Sequence, residues 1–147
     1  VDPKIENFIQ GKRLAVVGIS QKDKKKFGNM AFQELKTRGY ELFAVHPEAQ
    51  EIDGEPCYPS LSALPSKVDG VLISVPPKKA KAVLNEAATA GIKKVWLQQG
   101  AESADVLAEA QRLGLEVISG KCILMYAPPV RSFHGFHRFV VKLTGQL

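Results

Sequence analysis

Little in this chain of 147 residues marks a secreted, membrane-spanning or metal-binding protein. Two cysteines, Cys57 and Cys122, are too few for a disulfide framework. No apolar run approaches the roughly 20 residues needed to cross a bilayer. The opening VDPKIENFIQ lacks the long apolar stretch of a secretion signal, so a cytoplasmic location is the expectation. There is no nucleophile elbow, no Walker lysine motif and no pair of carboxylates at an identifiable strand end. His134 and His137 stand three apart without a third ligand in view, so no metal is expected. Binding without catalysis is the expectation, and an unrecognised enzymatic activity stays open.

Charge narrows the partners. Lys and Arg number 20 against 15 Asp and Glu, a net charge of +5. The lysines gather in two places, Lys22 to Lys26 and Lys78 to Lys81, each where a strand hands over to a helix. A nucleic-acid face would more often show a long basic stripe interleaved with aromatics. None is present in the core of the chain, so neither nucleic acid nor a membrane is expected as partner.

Five short apolar runs alternate with helical patterns. The strands are expected at Leu14–Gly18, Glu41–Val45, Gly70–Val75, Lys94–Leu97 and Leu115–Ile118. The helices are expected at 4–10, 29–38, 78–90 and 104–113, with a short one at 61–64 between turn-rich stretches. This order predicts a Rossmann-like, three-layer α/β/α fold with a five-stranded parallel sheet. Right-handed crossovers place the carboxyl ends of all five strands on one edge. Residues 1–147 are read as one domain. A tail at about 128–147 carries Phe133, Phe136, Val140 and Leu143 on one helical face. It is expected to pack on the sheet or on a second copy, giving a possible homodimer.

The first strand ends at Gly18, as a phosphate-binding turn would. The dinucleotide fingerprint nevertheless fails. Ser20 stands where a second glycine belongs, and the next glycine is Gly28, beyond the basic run. The second strand ends in Val45-His46-Pro47, without the acid that would hold an NAD ribose. The long loop, its lysines and the helix start at Asn29 suit a ligand with several phosphates. Val75-Pro76-Pro77 turns the chain out of the sheet, and Lys78 and Lys79 open the next helix against its dipole. Cys122 follows the fifth strand beside Lys121, where a cation can favour the thiolate. A buried, inert thiol is the commoner case for a lone cysteine.

The chain carries, in order, Gly18-Ile19-Ser20, Lys26-Phe27-Gly28-Asn29, Val45-His46-Pro47, Val75-Pro76-Pro77, Gln98-Gln99-Gly100-Ala101-Glu102-Ser103 and Gly120-Lys121-Cys122-Ile123. Together they resemble the small stand-alone CoA-binding domain proteins. Those are similar to the N-terminal CoA-binding domain of the succinyl-CoA synthetase α subunit. The resemblance covers about residues 8–125 and implies coenzyme A, or an acyl-CoA, bound along the strand-end edge. It implies phosphates at Gly18, Ile19, Ser20, Lys25, Lys26, Phe27, Gly28 and Asn29. It implies a nucleotide border at His46, Pro47, Ser74, Val75, Pro76 and Pro77. Gln99, Gly100 and Cys122 would lie toward the pantetheine arm. His46 departs from the asparagine frequent in that family. The synthetase's phosphorylated histidine belongs to a separate domain, so no ligase activity is carried over. A regulatory CoA-binding role follows. The alternative is an interaction module or a thiol-redox sensor working through Cys122 and the C-terminal helix.

Overall fold

The computed structural model describes residues 2–128. The expected C-terminal helix, with His134 and His137, lies outside the described residues.

The chain opens with α1 (Pro3–Gln10). Asp2 caps it, its carboxylate accepting the Lys4 N–H at 2.9 Å, and Pro3 occupies the first turn, where no N–H is needed. Ile5 and Phe8 are its buried residues, and Phe8 meets Trp96 edge-on with ring centroids 5.4 Å apart. Then come β1 (Arg13–Val17), α2 (Phe27–Thr37), β2 (Glu41–Val45), β3 (Glu51–Ile52), β4 (Glu55–Tyr58), β5 (Gly70–Ile73), α3 (Pro77–Thr89), β6 (Lys94–Gln98), α4 (Ala104–Arg112) and β7 (Glu116–Lys121). Short 3-10 turns lie at Leu61–Ala63 and Ile123–Met125.

One sheet forms in the order β3-β4-β2-β1-β5-β6-β7. All neighbours are parallel except β3 against β4. Strand alternation sorts the core into two layers. Leu14, Val16, Leu72, Trp96 and Ile118 pack with Ile5, Phe8, Phe32 and Leu35 of α1 and α2. Ala15, Val71, Ile73, Val95 and Leu97 pack with Ala80, Leu84, Val106 and Ala110 of α3 and α4. The α/β/α layering thus follows from period-two strands with both faces covered.

The sheet has seven strands, not five. The two additions, β3 and β4, form a hairpin on the β2 edge. Its turn is Asp53-Gly54, both with positive φ (52° and 80°), the pairing that suits a two-residue hairpin. Pro56 is tolerated in β4 because the strand is short and lies near the sheet's edge. Helix α2 starts at Phe27, two residues earlier than expected. β7 runs to Lys121, three residues past the expected end.

Candidate ligand edge

The chain reverses its winding direction between β1 and β5, the place where open α/β sheets leave a crevice. Three segments crowd together there. A side chain on Gly18, whose φ is +119°, would overlap the Ser74 carbonyl oxygen after β5. One on Gly28 would overlap the Gly18 carbonyl oxygen. Only glycines let the end of β1 lie against both β5 and the start of α2. The Ser74 N–H also donates to the Val17 carbonyl at 2.8 Å.

The intervening loop is tied down by side chains. Asn29, 6% exposed, faces Ser20: its Oδ1 accepts the Ser20 N–H at 2.8 Å and its Nδ2 donates to the Ser20 carbonyl at 2.9 Å. The Ser20 hydroxyl accepts the N–H groups of Lys22 and Asp23, and the Asp23 carboxylate accepts that of Lys25. Ile19 is buried in the core and Phe27 packs against it. Ile19, Phe27, Gly28 and Asn29 therefore build the loop from inside, and the lysines are what it presents.

Lys24 pairs with Asp53 at the hairpin tip, 2.9 Å away, and Lys81 with Asp105 at 3.2 Å. Lys22, Lys25, Lys26, Lys78 and Lys79 have no acidic partner among the described residues. The first amides of α2 are equally unclaimed. Lys26, at the N-cap, supplies no side-chain cap. The N–H groups of Phe27, Gly28 and Asn29 meet no acceptor among the described residues. Uncapped amides at the positive end of a helix, beside lysines without acids, form an anion-attracting site.

Other expected residues fall along the same edge. His46 is half-buried, and its Nδ1 accepts the N–H groups of Glu48 and Ala49, both at 3.0 Å. That fixes the ring and leaves Nε2 as the donor in the neutral form. Pro47 is exposed beside it. Pro76 caps α3 and Pro77 takes its first position, with Val75 half-buried below. Gln99 and Gly100 are exposed after β6, and Cys122 is half-buried just after β7. All seventeen expected positions thus lie in segments that follow the carboxyl ends of the parallel strands β1, β2, β5, β6 and β7. One hollow of about 620 Å³, bounded by Leu61, Val68, Thr89 and Ile92, lies away from this edge, and another of the same size runs along α2 from Lys24 and Asn29 to Thr37 and Leu124.

Two residues escaped the sequence reading in their actual roles. Buried Gln98 accepts the Ile123 N–H at 3.1 Å through Oε1. Glu102 accepts the N–H groups of both Gly100 and Gly120, at 2.7 and 2.6 Å. Its sequence signal was its place in the run Gln98-Gln99-Gly100-Ala101-Glu102-Ser103.

A family profile described as "CoA binding domain" matches residues 12–128. The chain belongs to this family. Among curated proteins, it is 28% identical over 131 residues to acetate–CoA ligase [ADP-forming] I of Archaeoglobus fulgidus, covering 82% of this chain and 19% of that protein. It is 29% identical over 130 residues to the α subunit of acetate–CoA ligase [ADP-forming] II of Pyrococcus furiosus, covering 81% of this chain and 28% of the subunit. The chain therefore spans less than a third of the length of these relatives. Small solved proteins match along nearly their whole length. A "conserved hypothetical protein" from Pyrococcus furiosus is 39% identical with a TM-score of 0.72, covering 77% of this chain and 97% of its own. A "hypothetical protein" from Pyrococcus horikoshii gives 29% and 0.77, covering 84% and 87%. Among the described residues of this CoA-binding family member, no helix is long and apolar enough to cross a membrane.

Proposed function

We propose that this chain binds coenzyme A or an acyl-CoA along the carboxyl edge of its sheet, as a binding or regulatory unit rather than a catalyst. One observation carries the reading: the uncapped amides of Phe27, Gly28 and Asn29 stand beside Lys22, Lys25 and Lys26, none of which has an acidic partner among the described residues. In a member of a CoA-binding family, this anion-attracting feature would receive the ligand's phosphates. The edge is asymmetric in charge. Lysines crowd the β1 and β5 ends, whereas the β6 and β7 ends carry Gln99 and Gly100, with Lys121 and Glu102 as one residue of each charge sign. A ligand with phosphates at one end and an uncharged arm at the other fits that gradient in one direction. His46 and Pro47 would border the nucleotide, and Val75-Pro76-Pro77 would wall it from the α3 side.

The absence of an acid after Val45 separates this reading from NAD binding. Calorimetric titration should give tighter binding for CoA than for NAD or ATP. Tighter binding of NAD would reverse the assignment.

A further inference from the structure

The β6–β7 half of the edge contains a construction that the phosphate argument leaves unused. The two strands run in register from Lys94↔Glu116 to Leu97↔Ser119, and then Gln98 pairs with Lys121. Gly120 is thereby pushed out of the ladder, a bulge whose backbone groups need other partners. Side chains from β6 and the loop after it supply them. Glu102 takes the Gly120 N–H at 2.6 Å, and Gln99 donates to the Gly120 carbonyl at 3.3 Å. The Trp96 indole N–H donates to the Lys121 carbonyl at 2.9 Å, and Gln98 holds the Ile123 N–H. Glu102 also turns back to its own loop and takes the Gly100 N–H at 2.7 Å.

Among the described residues, Glu102 is thus the one side chain that binds both the loop after β6 and the Gly120 bulge. Both of its partners are donors, and an ionised carboxylate, acceptor at both oxygens, is the group that satisfies two donors. This accounts for an acid on a basic edge: Glu102 has no cationic partner among the described residues.

We propose that Glu102 is the positioning residue for the uncharged arm of the ligand, fixing the loop after β6 relative to the Gly120 bulge, along which the arm lies on its way toward Cys122. This rests on the CoA reading above. The arm meets the Gly100 and Gly120 backbones, and Glu102 sets their separation without touching the phosphates.

The test is Glu102→Gln, which keeps shape and size but turns an NH2 donor toward one of the two N–H donors. Binding of CoA and of 3′-phospho-ADP, its nucleotide half, is measured for both proteins. The wild type should bind both. The variant should lose about tenfold in CoA affinity while 3′-phospho-ADP stays within about twofold. Equal losses for the two ligands would reduce Glu102 to general structural support, and unchanged CoA affinity would also overturn the proposal. Should the variant not fold, the wild type still decides by NMR. The Gly100 and Gly120 amide signals should shift with CoA and stay in place with 3′-phospho-ADP, and identical responses to both ligands would refute it. A wild type that binds 3′-phospho-ADP but gains nothing from the arm defeats this inference alone. A wild type that binds neither defeats the CoA reading, and this inference with it.

Discussion

The two halves of the ligand edge are held in place by different means. At the β1–β5 half, backbone packs directly on backbone: Gly18 against Ser74, and Gly28 against Gly18. No side chain fits at these two contacts, so the backbones there are held by close steric packing, with Asn29 and Ser20 tying down the loop between them. At the β6–β7 half, Gly120 bulges out of the ladder, and Glu102, Gln99, Gln98 and Trp96 hold the segment around it with hydrogen bonds. The first half is basic and the first amides of α2 are unclaimed. In the second half, the Gly100 and Gly120 amides are already satisfied by Glu102. Steric contact gives a rigid cradle suited to a fixed charge pattern. Polar bridges can be exchanged one at a time, which suits a flexible arm.

The largest effect should come from breaking the steric half. Gly28→Ala places a methyl where the Gly18 carbonyl oxygen sits, and should cost on the order of 3 kcal/mol. A polar bridge on the other half, removed by Gln99→Ala, should cost about 0.5 kcal/mol, since its 3.3 Å bond is exposed. Denaturant melts of the two variants compare the halves directly. Equal losses would mean that both are held in the same way.

A smaller effect should separate the halves by charge. Lys26→Glu should leave folding stability nearly unchanged, as the side chain is exposed and forms no ion pair among the described residues. It should weaken CoA about tenfold at low salt, with the difference shrinking as salt is added. Calorimetry at two salt concentrations reads both. An unaltered affinity would remove Lys26 from the phosphate end.

The smallest effect concerns the two thiols. Cys57 is buried on β4, and burial raises its pKa, with nearby Lys24 partly offsetting the rise. Cys122 is half-buried at the end of the polar half. An alkylating reagent at pH 8 should therefore modify Cys122 well before Cys57, because the thiolate is the reactive form and Cys57 resists both access and ionisation. CoA should slow the Cys122 reaction only. Intact mass against time follows both sites, and faster labelling of Cys57 would contradict this ordering.

Much of the steric half was legible in the sequence, and little of the polar half was. Gly18 after an apolar β-branched run, the lysines beyond it and the missing acid after Val45 are local signals, and they located the crevice. Asn29 was read as facing a ligand, whereas it is buried and bridges Ser20, a pairing nine residues apart that only the folded loop creates. The hairpin was missed because Gly54, Pro56 and Pro59 read as turns. Asp53-Gly54 was the available signal for it. Glu102 and Gln98 were missed in their roles because their partners, Gly120 and Ile123, depend on a register shift between β6 and β7, and no spacing within either strand encodes that shift.

Trp96 is the sole tryptophan of the chain, and its ring is fully buried. Its indole N–H is bound to the Lys121 carbonyl, next to the bulge, while its ring touches Phe8 on one side and Tyr126 on the other. The protein thus contains a single tryptophan fluorophore in a dry setting, wired by one bond to the strand end where the ligand's arm is proposed to lie. Its emission should be blue-shifted at rest and should report any displacement of that strand end, while ligands confined to the phosphate cradle leave the light unchanged.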